Sequence, residues 1–278
     1  MKIGFNPPSS PNYPSAAKSA AVISIDFDHL TKSSRSTQAK WVPEPKAGLL
    51  EKNGVGTRDL VSLSEKYLIP MSWAICGRTA SEDPDSYLLV KNSKQLQDIG
   101  VHTYSHIDVS ASTDDELKEE IEMCEKVLGL EERPKTFIFP WNRMGHFDLL
   151  SKMGYATYRG QDRVIGYPSK GDLWNIPPTY YVDTKSYGAE NLIKKYVDLC
   201  ISWNCVFHLW LHPWSVVLEG DSTGKFASRT LDPVFAYLKQ KRDAGMLAVS
   251  TMADLASFCE NRGDSSIPQA REPSPRSS

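Results

Sequence analysis

Three short groups of acidic and histidine side chains carry the clearest chemical potential in this sequence. The first is Asp26-Phe27-Asp28, a pair of carboxylates at the end of the apolar run 21–27. Unpaired charge is costly inside a buried strand, so we expect both carboxylates at the strand's carboxyl end, where parallel α/β folds place catalytic groups. The alternative is a pair of ordinary turn aspartates, because Asp-x-Asp is a short and common string.

The second group is His102-Thr103-Tyr104-Ser105-His106. Histidines four apart on a helical turn face the same way and can share one metal ion. The chain has only six histidines, so chance would rarely place two of them at this spacing. We therefore favour a metal site here over two unrelated loop histidines.

The third group lies in the run 206–214. Strand alternation places His208, Trp210 and His212 on one face, and Pro213 ends the strand directly after His212. We predict a packing role for the deeper His208 and a functional role for His212. A fourth stretch, 137–143, also ends a strand with proline and an aromatic residue, which would present a backbone N–H to a substrate or only close the fold.

Alternating strands and helices must position these groups. We predict strands at Ala21–Phe27, Met71–Cys76, Gly100–Tyr104, Thr136–Pro140, Tyr155–Tyr158, Leu173–Ile176, Cys205–Leu211 and Met246–Val249. We predict helices near Thr57–Tyr67, Thr113–Leu128, Phe147–Met153, Glu190–Ile201 and Leu231–Asp243. The clearest helix opens with a capping box of Thr113 and Glu116 and stops at Gly129. This many βα repeats favours one closed or nearly closed barrel over two small domains.

Composition restricts the partners and the compartment. The 32 Lys and Arg residues against 34 Asp and Glu residues give a net charge of -2, which argues against a nucleic-acid partner. The five cysteines have no Cys-x-x-Cys spacing, so we expect reduced, mostly buried thiols.

Residues 1–20 and 262–278 are rich in Pro, Ser and charge, which predicts a flexible N-terminal segment and a disordered C-terminal tail around a barrel domain at 21–261. With neither a signal peptide nor a membrane span in the sequence, we expect a cytoplasmic protein of undetermined oligomeric state.

The groups occur together, in order, as four motifs: Asp26-x-Asp28, His102-Thr103-x-x-His106, Phe139-Pro140-Trp141 and Leu211-His212-Pro213-Trp214. Over about residues 20–260 this set resembles the polysaccharide deacetylase family, also called the NodB-homology or carbohydrate esterase family 4 fold. The resemblance implies an α/β fold, a distorted (β/α)7 TIM-like barrel, and metal-dependent removal of acetyl groups from N-acetylated sugars. Two features depart from the family pattern: Phe27 separates aspartates that are usually adjacent, and the third motif lacks its arginine, for which Arg143 is a candidate replacement.

The resemblance also implies roles for individual residues. Asp28, His102 and His106 would bind a divalent metal, and Zn²⁺ is favoured because mixed imidazole and carboxylate ligation with an open position suits catalytic zinc. Asp26 would act as general base, and His212, paired with a carboxylate that the sequence does not identify, would protonate the departing amine. The backbone N–H of Trp141 would meet the oxyanion. The expected substrate contacts are Tyr104, Pro140, Trp141, Arg143 and Trp214.

Other functions stay open at this point. One is hydrolysis of a non-sugar C–N bond, such as a cyclic imide or ureide, on the same barrel and metal site. A second is a catalytically inactive metal-binding or glycan-binding protein. A phosphatase of the haloacid-dehalogenase type would use Asp26-Phe27-Asp28 but leaves the histidine pair unexplained. The expected substrate is a carbohydrate or another small amide, and the missing secretion signal favours a precursor glycan over assembled cell-wall polymer.

Overall fold

A curled sheet of mostly parallel strands, with helices between them, organises the chain. The computed structural model describes residues 13–221 and 223–261. The strands are β1 Ser19–Phe27, β2 Leu30–Lys32, β3 Pro43–Pro45, β4 Met71–Ile75, β5 Gln97–Val101, β6 Thr136–Phe137, β7 Thr157–Tyr158, β8 Ser169–Lys170, β9 Trp174–Asn175, β10 Tyr180–Val182, β11 Val206–Leu211 and β12 Leu247–Val249. The helices are α1 Leu49–Tyr67, α2 Gly77–Glu82, α3 Pro84–Lys91, α4 Asp114–Leu128, α5 Phe147–Lys152, α6 Glu190–Trp203, α7 Asp232–Asp243 and α8 Met252–Asn261. Short 3₁₀ or π turns lie at Pro14–Ala16, Val109–Ala111, Pro140–Asn142, Thr184–Ser186, Pro213–Val216 and Ala227–Leu231.

Strand β1 lies in the middle of the large sheet. It pairs in parallel with β11 along one edge, and along the other with β12 near its start and β4 near its end. From β4 the sheet continues through β5, β6, β7 and β9, all parallel, and β8 pairs antiparallel with β9. β10 lies outside β11 and runs parallel to it. This curled, parallel-rich sheet is the α/β distorted barrel that the sequence predicts.

The composition of β1 explains its central place. All of its residues are buried, and the run is dominated by Ala, Val and Ile, as is typical of a parallel strand covered on both faces. It begins at Ser19 rather than at the predicted Ala21. Ser19 fits inside the sheet because its hydroxyl donates to the carbonyl of Cys205 (2.5 Å).

Helix α1 is longer than the sequence predicts. It begins at Leu49 rather than near Thr57 and therefore includes Gly54 and Gly56, which have low helix propensity. A β-carbon at Gly56 would lie 2.0 Å from the carbonyl oxygen of Pro213, so only glycine allows this close approach. The helix thus packs directly under the turn that follows β11.

Helix α4 confirms the predicted end signals. The Thr113 hydroxyl accepts from the N–H of Glu116, and the Glu116 carboxylate accepts from the N–H of Thr113. Gly129 ends the helix in the left-handed region, with φ 53°. Its buried face consists of Leu117, Ile121, Cys124 and Leu128.

Every predicted strand and helix is present, with shifted ends. The largest strand shift is in β5, which ends at Val101, so the segment 102–106 is a loop rather than strand and helical turn. Strands β2, β3, β8 and β10 and helices α2, α3 and α8 are additional. All five cysteines are buried and free, as predicted.

The predicted tails fall mostly on residues 1–12 and 262–278, which lie outside the described residues. Within the N-terminal segment, Tyr13 is buried and packs against the core. The domain limits stay a prediction. Among the described residues, no helix is both long enough and apolar enough to cross a membrane.

Candidate active site

The carboxyl ends of β1, β5 and β11 bring the predicted catalytic and ligand residues together. Asp26 and Asp28 come from the end of β1, His102 and His106 from the loop after β5, and His212 from the residue after β11. All five are buried or nearly so. Their convergence follows from parallel strand order, because the carboxyl ends of parallel strands meet at one edge of the sheet.

Three of these side chains have the geometry of a metal site. The Nε2 atoms of His102 and His106 lie 3.1 Å apart, and Asp28 Oδ2 lies 3.6 and 3.5 Å from them, respectively. Ligands about 2.0–2.1 Å from a tetrahedral zinc ion lie about 3.3–3.5 Å from one another. The three donor atoms therefore match three corners of such a site.

The local backbone aims both imidazoles at this point without a helical turn. Thr103 and His106 adopt left-handed conformations, with φ 58° and 61°, which reverse the chain between the two histidines. The helical turn that the spacing suggested is therefore wrong, although the side chains still meet. His102 Nδ1–H donates to the carbonyl of Ile138 (2.6 Å), which leaves its Nε2 lone pair facing the other ligands.

Burial and protonation also fit a cation at this point. Asp28 Oδ2 is buried and has no hydrogen-bond partner in the described part of the chain. Burial alone would raise the pKa of Asp28, but its interactions with the imidazoles of His212, His106 and His102 outweigh this effect and hold the pKa well below its ordinary value. Burial lowers the pKa of His106. An ionised carboxylate beside a neutral imidazole is the form that binds metal ions.

The second aspartate, Asp26, pairs with an arginine that none of the sequence motifs includes. Arg159, directly after β7, donates to both oxygens of Asp26 (2.6 Å each), and the two side chains are only 1% and 5% exposed. The guanidinium also lies 4.1 Å from the ring centroid of Trp210. Although burial would raise the pKa of Asp26, Arg159 and the nearby imidazoles bring it below its ordinary value.

Arg143 does not take this place. Its Nε donates to Asp108 (2.7 Å) and its Nη2 to the carbonyl of Ala39 (3.1 Å), so its hydrogen bonds go to these groups and not to Asp26. Arg159 reaches Asp26 instead because β7 lies in the same sheet and ends at the same edge. The one sequence signal that could have identified Arg159 is its position directly after the predicted strand Tyr155–Tyr158.

His212 lies between the two carboxylates. Its Nε2 is 3.5 Å from Asp28 Oδ2 and 3.9 Å from Asp26 Oδ2, and its Nδ1 is 3.3 Å from the hydroxyl of Tyr181. Burial lowers the pKa of His212, and the two carboxylates only partly offset this effect. Asp26, Asp28 and His212 also form a second group with the spacing of metal ligands, so the position suits either proton transfer or ligation.

His208 has the packing role that the sequence predicts. It is fully buried, with Nδ1 bonded to the carbonyl of Ile176 (3.0 Å) and Nε2 to the Ser24 hydroxyl (2.8 Å). Burial, together with the Arg159 charge, lowers its pKa to about 3, so it stays neutral.

A cavity of about 350 Å³ opens above these groups. It is lined by Asp26, Asp28, Leu30, Thr31, Lys32, Trp41, His106, Trp141, Asn142, Arg159, Trp210, His212 and Trp214. Its volume is at the lower end for small-molecule sites, and four tryptophans give it aromatic walls. The predicted contacts Trp141 and Trp214 are among the lining residues.

The other predicted substrate contacts are not part of this lining. Tyr104 packs against α2, where a β-carbon at Gly77 would lie 2.7 Å from the Tyr104 ring. Pro140 is buried in the turn after β6, and Arg143 pairs with Asp108. In their place, Lys32 and Trp41 line the cavity from the β2–β3 segment, where the sequence carried no recognisable signal.

Comparison with known proteins agrees with this architecture. The polysaccharide deacetylase family model matches residues 52–155, a stretch that includes His102, His106 and Trp141. No curated protein sequence matches the chain. The resemblance stated from the motifs is thereby confirmed for the part of the chain that the model matches.

Solved structures share the fold. A candidate polysaccharide deacetylase from Mycobacterium smegmatis is 15% identical with a TM-score of 0.70, covering 97% of this chain and 99% of that one. A second, from Pseudomonas aeruginosa PAO1, is 15% identical with a TM-score of 0.64, covering 96% and 98%. The PuuE allantoinase is 14% identical with a TM-score of 0.62, covering 96% and 100%. At these identities the likeness shows the fold alone.

Proposed function

From the polysaccharide deacetylase fold and family match, we propose that this chain is a metal-dependent hydrolase that removes the acetyl group from an N-acetylated amino sugar. The observation that carries the proposal is that the donor atoms of Asp28, His102 and His106 lie together, beside Asp26 and His212, below one cavity. Ligand, base and acid functions are therefore available within a few ångströms of one another.

Asp28, His102 and His106 would hold the cation, with Zn²⁺ favoured by the mixed nitrogen and oxygen donors. When bound, such an ion supplies a polarised carbonyl and a more acidic water. The other ring nitrogen of His102, Nδ1, is hydrogen-bonded to the backbone carbonyl of Ile138, which keeps the ring oriented.

Asp26 acts as the proton acceptor when water attacks the acyl carbon. The two bonds from Arg159 fix the carboxylate's orientation and keep it ionised despite its burial. Arg159 is thus a positioning residue, because it acts on the reaction only through Asp26.

His212 delivers a proton to the departing nitrogen. Because burial keeps its imidazole neutral at rest, it must first receive a proton, and Asp26 Oδ2 at 3.9 Å is the nearest carboxylate oxygen after that of Asp28. A proton taken from water by Asp26 therefore passes to His212 Nε2 and on to the amine as the C–N bond breaks. The products are acetate and the free amine.

Hydrolysis of a cyclic imide or ureide is the second candidate. The fold likeness to an allantoinase and the two departures from the family's motifs favour it. It uses the same groups, since in both reactions water attacks a carbonyl and nitrogen leaves. The substrate alone distinguishes the two.

The test is an assay of metal-loaded protein against N-acetylated sugars, nucleotide-linked sugars and glycolipids, run beside cyclic imides and ureides. Acetate release supports deacetylation, and ring opening without acetate supports the second candidate. Asp26→Asn should abolish turnover and leave the metal bound. His146→Ala should keep both turnover and metal, because the His146 ring pairs with Asp114 outside the cavity. Metal binding without turnover on any substrate would contradict both and support an inactive binding protein.

His212→Ala separates the two roles open to that residue. Loss of turnover with an unchanged metal content supports proton transfer. A lower metal content in this variant would instead make His212 a ligand and overturn its role as acid.

A further inference from the structure

A hairpin that the sequence did not predict forms one wall of the cavity. Strands β2 and β3 pair antiparallel, and the chain between them places Trp41 against Trp141, with ring centroids 5.7 Å apart. Asp108 anchors this segment, because its Oδ2 accepts from the Trp41 N–H (2.8 Å) and its carboxylate also pairs with Arg143. The wall is therefore fixed to the barrel by two hydrogen bonds to its backbone, from the Trp41 N–H to Asp108 and from Arg143 Nη2 to the carbonyl of Ala39 (3.1 Å).

Lys32, the last residue of β2, brings a positive charge to this wall. It lines the cavity, and its Nζ lies 4.1 Å from the Trp41 ring centroid. Within residues 13–221 and 223–261 it makes no ion pair with a carboxylate. Its ammonium therefore lies over an aromatic ring beside the cavity, and no carboxylate of the described residues neutralises it.

The other charged side chains of the lining have partners. Asp26 is paired with Arg159, and Asp28 faces the histidines. Aromatic walls alone would also suit a cationic ligand. The unpaired charge of Lys32 opposes a cation and favours an anion.

The distance from Lys32 to the reacting groups suits one small molecule. Four residues of fully extended chain span at most about 14 Å, so the α-carbons of Asp28 and Lys32 lie no farther apart than that. Both residues also line the same cavity of about 350 Å³, so a ligand that fills it can contact Asp28 and Lys32 simultaneously.

We propose that Lys32 is a specificity residue that binds an oxyanion, a carboxylate or a phosphate, on the amide substrate. This inference rests on the proposed function and narrows its substrate class to small anionic amides. Neutral polymers lack the group that Lys32 would bind.

The experiment compares three probes in the metal-loaded protein: N-acetylglucosamine, N-acetylmuramic acid with a carboxylate, and N-acetylglucosamine 6-phosphate. Binding is followed by tryptophan fluorescence, because four of the seven tryptophans line the cavity, and turnover is followed by acetate release. Lys32→Gln removes the charge, Lys32→Arg keeps it, and Lys40→Gln makes the same change in the same hairpin on a separate groove.

In the native protein we expect either anionic probe to bind roughly three- to tenfold more tightly than the neutral one, at low salt. Lys32→Gln should remove this preference, and Lys32→Arg and Lys40→Gln should retain it. Whichever anionic probe binds more tightly identifies the carboxylate or the phosphate. Equal binding of all three probes, or a preference unchanged in Lys32→Gln, would overturn the inference even if the protein proves to be a deacetylase. Lys32-dependent binding without turnover would support the inference and count against acetyl removal.

Discussion

Replacing Arg159 by Met would leave Asp26 as a buried carboxylate without its cation. The pair has two 2.6 Å bonds and almost no solvent exposure, so water from the cavity would replace the two bonds of the guanidinium only in part. Removing one partner of such a pair costs about 3–5 kcal/mol, since the remaining charge stays uncompensated in the interior. This is a large part of the 5–15 kcal/mol that typically stabilises a folded protein.

The assay is urea unfolding of metal-free protein in the presence of a chelator, with the slope of the transition checked for constancy. The double variant Asp26→Asn with Arg159→Met removes the buried charge as well and should recover most of the loss. Arg133→Met is the control. Arg133 is 41% exposed, pairs with Glu125 at 2.9 Å and donates to the carbonyl of Met153 (2.7 Å), and water can replace both contacts at this exposure, so its loss should cost no more than about 1 kcal/mol.

The pH dependence gives an independent check. Because the folded-state pKa of Asp26 is lowered, the pair stabilises the protein fully above the unfolded-state pKa, and this stabilisation is lost as pH falls through the folded-state pKa. The deficit of Arg159→Met should therefore shrink on acidification. The reasoning fails if Arg159→Met costs no more than the Arg133 control, or if the double variant is no more stable than the single one.

The ligand histidines, the buried Asp98 and the five cysteines should each respond measurably to a single change. His102→Ala and His106→Ala should each lower bound metal from about one ion per chain to near zero by elemental analysis, and unchanged metal would refute the ligand assignment. Burial raises the pKa of Asp98, so its contribution to stability is greatest at low pH and is lost as pH rises through the folded-state pKa. Asp98→Asn should therefore gain unfolding free energy relative to wild type as pH rises from about 4 to about 7, and a constant difference would contradict this. All five cysteines are buried, and burial raises the pKa of Cys76 to about 12, so a thiol reagent should titrate them only after unfolding. Rapid reaction of the native protein would contradict their placement.

The sequence predicted the core of the candidate site because its signals are local. Apolar runs identified the strands, and the polar residues that directly follow them, such as Asp28 and His212, had to lie at the sheet's carboxyl edge. The capping box of α4 was predictable for the same reason, since it depends on residues only three apart.

Other local signals gave the wrong geometry. The spacing of His102 and His106 suggested a helical turn, but left-handed residues in the loop bring the side chains together instead. Gly54 and Gly56 obscured the start of α1. At Gly56 the glycine is required by the approach of the Pro213 backbone from a distant part of the chain, which no local pattern shows.

Only the tertiary structure decided which groups surround the site. Arg159 and Asp26 are 133 residues apart, and their pairing depends on both β1 and β7 ending at one edge of a curled sheet. Lys32 and Trp41 reach the cavity because Asp108, from another loop, bonds to the hairpin. Periodicity and end signals act over a few residues, whereas an ion pair or a cavity wall depends on how distant elements pack. The sequence by itself therefore identified the candidate catalytic and ligand side chains, and the fold identified their partners.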